Sequence, residues 1–142
     1  MKVLYEPESL DAAKSGAVWG DIWLQEGDAF FFPEFRWNDL IVNVLSAFCI
    51  ALRDLESGIE LAKVSFLDGP YSTTICGSNI KGSVLMNVDG PGFDVSNREV
   101  NYAVMRDSII VCSGDVYNQC LRRGWGARRE VMELGQVLRA LG

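Results

Sequence analysis

The residue types that most often perform catalysis are scarce in this chain of 142 residues. It contains no histidine, which removes the commonest general base and the commonest metal ligand. A nucleophilic serine or cysteine normally needs an adjacent base, and the lysines at positions 2, 14, 63 and 81 lie in no recognisable Ser–Lys motif. Paired carboxylates for glycoside hydrolysis meet in space rather than in sequence, and no pattern here favours them. The sequence therefore predicts a protein that is not an enzyme.

Two segments have part of the spacing of a ligand-binding loop. Residues 77–82 match the first half of a phosphate-binding loop, G-x-x-x-x-G, but Ser83 and Val84 follow where Lys and Ser or Thr are needed. Asp89 and Asp94 form a local group of carboxylates whose spacing does not fit an EF-hand. A hairpin loop and a solvated turn explain these residues. We therefore expect no phosphate site, no metal and no cofactor.

The cysteines and the apolar segments indicate the compartment. The four cysteines have no C-x-x-C spacing and each lies inside an apolar pattern; they are Cys49, Cys76, Cys112 and Cys120. We interpret them as small buried hydrophobic residues in a reducing environment. The N-terminus lacks the apolar segment of a secretory signal, and the longest apolar run, residues 40–52, is too short to span a bilayer. The expected location is cytoplasmic, with no membrane contact.

Residues 122–129 interleave four arginines with Trp125, a composition that can bind single-stranded nucleic acid. The formal net charge of the chain is −6, which opposes binding driven by phosphate contacts. An alternative reading is structural: Arg122 and Arg123 end a helix, Gly124 caps it, and Trp125 folds back onto it. We favour the structural reading and expect no nucleic-acid partner.

Acidic and aromatic residues are concentrated in the first part of the chain. Residues 1–60 hold 11 acids and 4 bases, whereas residues 98–142 hold 5 acids and 7 bases. Within this acidic part, residues 19–37 carry seven of the 15 aromatic residues: Trp19, Trp23, Phe30, Phe31, Phe32, Phe35 and Trp37. Aromatic anchors beside carboxylates are typical of a surface that binds a basic protein. The same rings could instead form the core, with the acids as a solvated rim, and the sequence leaves both readings open.

The elements that would position these residues follow from hydrophobic periodicity. Alternation over residues 17–25 predicts a strand, and a turn at Gly27 returns residues 29–32 as its hairpin partner. A 3.6-residue repeat predicts a helix over 39–57, capped by Asn38 or Asp39, buried on more than one side and ended at Gly58.

The rest of the chain predicts a run of strands followed by helices. Strands at 61–67, 72–76, 83–88 and 99–105 are separated by turn sequences, which indicates consecutive hairpins. Helices follow at 107–123 and around the apolar residues 131, 134, 138 and 141. We predict one α+β domain over residues 1–142, in which an antiparallel β-meander forms one sheet packed by a central helix and two C-terminal helices.

Three segments resemble a known family. Residues 32–40 read Phe-Pro-acid followed by Trp-x-Asp-hydrophobe, residues 66–71 end a strand in Asp-Gly-Pro-Tyr, and residues 120–125 read Cys-Leu-Arg-Arg-Gly-Trp. These features, with the final Leu-x-x-Leu helix, resemble small bacterial immunity proteins that neutralise polymorphic toxins, including contact-dependent growth-inhibition toxins. The resemblance covers most of residues 30–142, and Trp37, Gly69 and Trp125 are expected to maintain its fold.

The resemblance implies a cytoplasmic, cofactor-free, non-catalytic protein. It would bind one cognate toxin domain, for example a basic nuclease, in a 1:1 complex that covers or distorts the toxin's active site. An interface of this kind buries about 1,600 Å² in total. The residues expected to contact the partner are Asp21, Trp23, Glu26, Asp28, Glu34, Asp39 and Tyr71.

A second functional class fits the same composition. Secretion chaperones for injected effectors are also small, acidic, cytoplasmic α+β proteins, and they bind an extended effector segment as homodimers. Such chaperones usually begin with a helix, whereas residues 17–32 here have the pattern of strands. An enzyme of unfamiliar type is the third alternative, and the scarcity of catalytic groups opposes it.

Overall fold

A long strand organises the N-terminal part of the chain. The computed structural model describes residues 1–94 and 97–142 of the whole chain. This strand pairs antiparallel with each of four shorter strands to form the first sheet. In chain order the strands are β1 (Lys2–Tyr5), β2 (Asp11–Ala12), the long β3 (Val18–Glu26), β4 (Phe30–Phe32) and β5 (Asn38–Asp39). The predicted hairpin of β3 and β4 is confirmed, whereas β1 was not predicted.

Alternation along β3 places one set of side chains in the core. Val18, Ile22 and Leu24 are fully buried, as the period of two predicts. Gly20 lies on the same face, where an added Cβ would come within 2.8 Å of the Leu10 side chain and 3.2 Å of Ile41. A glycine at this position therefore permits the close approach of the next helix to the sheet.

The second sheet is the predicted meander. It contains β6 (Leu61–Phe66), β7 (Tyr71–Gly77), β8 (Ser83–Asp89) and β9 (Arg98–Asn101), paired antiparallel in that order. The described residues thus form two sheets, so the expectation of a single sheet was wrong. The reason is that residues 2–5 and 38–39 pair with β3 and not with the meander.

Three α-helices complete the described residues: α1 (Ile41–Glu56), α2 (Tyr102–Arg122) and α3 (Arg129–Leu141). The central α1 contacts both other helices and both sheets, which confirms burial on more than one side. The fold class is α+β, as predicted. In the described ranges, no helix combines the length and apolar composition that crossing a bilayer requires.

The start of α2 differs from the prediction. Residues 102–105 were expected to continue a strand, but they form the first turn of this helix. The Asn101 side chain accepts a hydrogen bond from the Val104 N–H at 3.0 Å, which satisfies one of the unpaired donors of the first helical turn. Met105, fully buried, belongs to the core on the helix face and not on a strand.

Candidate protein-binding surface

Three aromatic side chains lie together on the face of the first sheet that points away from the core. Trp23 alternates with the buried residues of β3, Phe31 is paired across from Gln25, and the loop after β4 brings Phe35 over both rings. The centroid of Phe35 lies 5.2 Å from Trp23 and 5.6 Å from Phe31, both edge-to-face. We call Trp23, Phe31 and Phe35 the aromatic cluster.

Phe35 is the exposed member of the aromatic cluster. Its relative exposure is 58%, whereas that of Trp23 is 6%. The Trp23 indole N–H donates to the Gln25 side chain at 2.9 Å, so this ring is held as the floor beneath Phe35. An exposed phenylalanine on a fixed aromatic floor is a suitable anchor for a protein partner. The expectation that Trp23 itself contacts a partner is wrong for this conformation, because Trp23 is buried.

The loop that carries Phe35 is held by Asp21. The Arg36 guanidinium donates from Nε to Asp21 Oδ2 at 2.9 Å, and the Asn38 amide donates to Asp21 Oδ1 at 3.1 Å. These bonds stabilise Arg36 in the left-handed region, with φ of 59°, which is unfavourable for a residue with a Cβ. Asp21 therefore positions the loop, and its charge is neutralised by Arg36.

Glu26 is also engaged within the chain. Its carboxylate lies 3.5 Å from the N-terminal amino group and 3.8 Å from Arg98 Nη1. The same guanidinium lies over the ring of Phe30, 3.7 Å from its centroid. Glu26 thus links the chain terminus to the second sheet, and two cations of the chain itself lie beside its charge.

Asp28 and Glu34 are the predicted contact residues that the structure leaves open. Both are exposed, and within the described ranges neither side chain takes part in a salt bridge or hydrogen bond. Glu34 directly precedes Phe35, and Asp28 lies in the turn between β3 and β4. These two carboxylates and Phe35 form the exposed, acidic part of the predicted surface.

Asp39 is a structural residue, and its prediction as a contact residue is wrong. Its carboxylate is fully buried and accepts hydrogen bonds from the Trp37 indole and from the backbone N–H groups of Leu40, Leu67 and Asp68, at 2.7–3.2 Å. The expected helix cap is also wrong, since α1 begins at Ile41 without a side-chain cap. Asp39 instead binds the turn between β6 and β7 to the start of the helix.

Tyr71 belongs to a second group of rings. Its ring lies edge-to-face with Trp37 at 5.2 Å and with Phe32 at 5.8 Å. A Cβ at Gly69 would lie 3.1 Å from both Trp37 and Tyr71, so this turn requires a small residue there. Tyr71 is half-buried, and most of its ring packs within the chain. Trp37 and Gly69 lie in this packing, as expected of residues that maintain the fold.

The arginine segment after α2 packs against its own chain. The Trp125 N–H donates to the Cys120 carbonyl and the Gly124 N–H to the Leu121 carbonyl, which is the bond pattern of a Schellman cap. Arg123 and Arg128 lie 5.2 and 5.5 Å from the Trp125 ring centroid. Their guanidinium groups also donate to the carbonyls of Leu10 and Gly16. The structural reading of Gly124 and Trp125 is confirmed.

The loop of residues 77–82, which matches the first half of a phosphate-binding loop, lines a cleft of about 680 Å³. This cleft lies between the ends of α1 and β7 and the start of α2. Glu56 and Glu60 also line this cleft. Glu56 accepts hydrogen bonds from the Tyr102 hydroxyl at 2.9 Å and from Arg106 Nε at 3.1 Å. Burial, and then this carboxylate, raise the pKa of Tyr102. Two carboxylates in the lining disfavour the binding of a phosphate.

The thiols are free, and three of the four are buried. Burial raises the pKa of Cys49, of Cys112 to about 12 and of Cys120 to about 11, which keeps these groups protonated and unreactive near neutral pH. In the part of the chain that the structure describes, no three Cys, Asp or Glu side chains are placed to hold a metal ion.

The sequence predicts the acidic, aromatic region but not its centre. Phe35 is one of the aromatic residues of that region but not one of the predicted contact residues, because no strand or helix pattern shows which way a loop side chain points. The Phe-Pro-Glu-Phe order, with a proline that ends the strand, is the signal that could have placed Phe35 on a turn. Comparison with known proteins found no matching family model, curated protein or solved structure.

Proposed function

We propose that this chain is an immunity protein that binds one cognate toxin domain and neutralises it by stoichiometric occlusion. The observation that supports the proposal best is the aromatic cluster, where Phe35 stands 58% exposed on a fixed aromatic floor. A large exposed ring with an open carboxylate beside it is suited to a desolvated contact with a basic partner. The proposed partner is a basic domain, such as a nuclease.

The charge of the molecule supports a basic partner and an occlusive mechanism. The net charge is −6. Glu34 adjoins Phe35 and Asp28 lies in the β3–β4 turn, both exposed and without a salt bridge in the described residues. Carboxylates placed in this way attract a basic active site and then cover it. No bond is made or broken by the immunity protein, so inhibition needs one copy for each toxin.

The chaperone alternative differs in oligomeric state and in its effect on the partner. Chaperones of that class bind an extended effector segment as homodimers, whereas the proposed immunity protein binds one folded toxin domain as a monomer. A stable dimer of this chain, or an effector that depends on this chain for solubility, would identify a chaperone instead.

A growth experiment tests the proposal. The C-terminal domain of the protein encoded by the neighbouring gene is expressed in bacteria alone, with the wild-type chain, and with Phe35→Ala or Ile80→Ala. Ile80 is 56% exposed in the 77–82 loop and serves as the matched control. We expect death with the domain alone, rescue by the wild type and by Ile80→Ala, and weaker rescue by Phe35→Ala. A harmless domain whose solubility does not depend on this chain would refute the proposal.

A further inference from the structure

A second apolar feature lies beside the aromatic cluster, in a groove of about 400 Å³ between β1 and α2. Leu4, Val104 and Val111 are the large apolar residues along it, and Val111 is 60% exposed and Val104 39% exposed. Exposed valines on a helix whose opposite face is buried leave an apolar surface without a partner in the described chain.

The groove is continuous with the aromatic cluster. Leu4 pairs in register with Trp23 on the adjacent strand, and directly opposed residues of neighbouring strands have Cβ atoms about 5 Å apart on the same face. Trp23 in turn contacts Phe35 at 5.2 Å. The buried Trp23 ring thus connects the exposed Phe35, on one side, to Leu4 and the groove beside Val111, on the other. We call the solvent-accessible apolar side chains of Phe35, Leu4 and Val111 the apolar strip.

Carboxylates lie at both ends of the apolar strip. Asp107 and Asp115 are exposed on α2, four residues before and four residues after Val111, so each lies one helical turn from it on the same face. Glu34 adjoins Phe35 at the other end. The exposed cations of this region are Lys2, which lines the groove, Arg122, at the end of the helix, and Arg36, which is paired with Asp21. Within the described residues, neither the Asp107 nor the Asp115 carboxylate takes part in a salt bridge, so both are open to a basic partner.

The backbone of β1 is not open to strand addition at this groove. The Val3 N–H donates to the Ser108 hydroxyl at 2.9 Å, and the Cys112 thiol donates to the Val3 carbonyl at 3.1 Å. Both backbone groups at the centre of the strand edge are therefore satisfied by side chains of α2. A partner would bind here through its side chains and not by extending the sheet.

We propose that the whole apolar strip, and not the aromatic cluster alone, is the docking surface, and that it binds a segment of the toxin whose apolar side chains are flanked by Lys or Arg. The apolar side chains fill the groove beside Val111 and cover Phe35, while the basic residues pair with Asp107, Asp115 and Glu34. This inference rests on the proposed function and adds a second anchor, on α2, to the first.

Binding of the neighbouring-gene domain tests the inference with matched variants. The dissociation constant is measured for the wild type, for Val111→Asp, for the pair Asp107→Lys and Asp115→Lys, and for Met132→Asp. Met132, on α3, is 51% exposed and controls for an added charge at an exposed apolar site. We expect Val111→Asp and the double variant to weaken binding at least about tenfold, with Met132→Asp within about twofold of the wild type.

The outcomes separate the inference from the proposed function. If Phe35→Ala weakens binding but the α2 variants match the wild type, the inference is wrong and the function stands.

If the wild-type chain does not bind the domain, the function is wrong, and a short amphipathic Leu–Lys peptide replaces the domain as probe. Tighter binding of this peptide than of a Leu–Glu peptide of the same spacing, lost in Val111→Asp, would support the strip; equal binding of both peptides would overturn it.

Discussion

At the scale of single residues, Asp39 connects parts of the chain that are distant in sequence. Its carboxylate receives four different donors in a fully buried position. Removal of the acceptor would leave these donors without a partner, and each buried unsatisfied group costs about 1–3 kcal/mol before relaxation. The residue that the sequence indicated as a helix cap or a contact residue therefore has its main effect on stability.

We predict that Asp39→Ala lowers the free energy of unfolding by about 3 kcal/mol, because the structure around the lost carboxylate relaxes only in part. Asp28→Ala, an exposed carboxylate in the same region, is the control and should change it by less than about 0.5 kcal/mol. Urea denaturation of the two variants measures the difference. Equal stabilities would contradict the buried network at Asp39.

A second residue-scale prediction concerns Cys112. Burial, followed by the charge of Asp115, raises the pKa of this thiol from 9.0 to about 12. Between these values the unfolded chain loses the proton and the folded chain keeps it, so stability is retained below pH 9 and falls as the pH rises toward 12. From this group alone, the free energy of unfolding at pH 10.5 is lower than at pH 8 by about 2 kcal/mol, at 1.36 kcal/mol for each pKa unit.

The variant Cys112→Ala removes the titrating group. Other groups also ionise above pH 9, so the comparison is between the wild type and the variant at pH 8 and pH 10.5. We expect the wild type to lose about 2 kcal/mol more than Cys112→Ala over this interval. Parallel losses in urea denaturation would show that the Cys112 thiol ionises equally in the folded and unfolded chains.

At the scale of elements, local patterns predicted most of the fold. The β3–β4 hairpin, the meander, α1 and the Schellman end of α2 follow from periodicity and from glycines with positive φ, such as Gly27 and Gly124. Strand β1 was missed because four residues carry too little alternation to identify a strand, and its place depends on pairing with β3. The aromatic cluster was predicted only in part, since loop conformation decides where Phe35 lies.

The arginine segment gives a prediction at this scale. Arg123 donates to the Leu10 carbonyl at 2.7 Å and lies near the Trp125 ring, whereas its neighbour Arg122, equally exposed, makes no side-chain hydrogen bond within the described residues. We expect Arg123→Ala to destabilise the fold by about 1–2 kcal/mol and to speed amide hydrogen exchange around residues 10–16. Arg122→Ala is the control. Equal exchange in both variants would mean that Arg123 does not hold the N-terminal segment.

At the scale of the whole molecule, the charge distribution is less uneven than the sequence indicates. Asp21 and Glu26 are paired with Arg36, Arg98 and the N-terminus, and Asp39 is buried. The acidic field on the candidate binding surface therefore depends on a few open carboxylates. This difference arises because pairing is a property of the fold and does not show in a count of charges.

Open carboxylates should control the rate of association. We predict that Asp28→Lys with Glu34→Lys lowers the association rate constant for the toxin domain about tenfold at low salt, with a smaller effect at high salt. Asp68→Lys with Asp89→Lys, exposed acids at turns of the second sheet, makes the same charge change and is the control. Stopped-flow mixing measures both; equal rates would show that total charge, and not this surface, steers the encounter.

The most direct test of the central claim is a titration of toxin activity by this chain. The neighbouring-gene domain is assayed, as a nuclease first, at a concentration well above the dissociation constant, while increasing amounts of the chain are added. Stoichiometric occlusion predicts a linear loss of activity that ends at one equivalent, with Phe35→Ala reaching the same end at higher concentration. Full activity at several equivalents of a folded, wild-type chain would contradict the account.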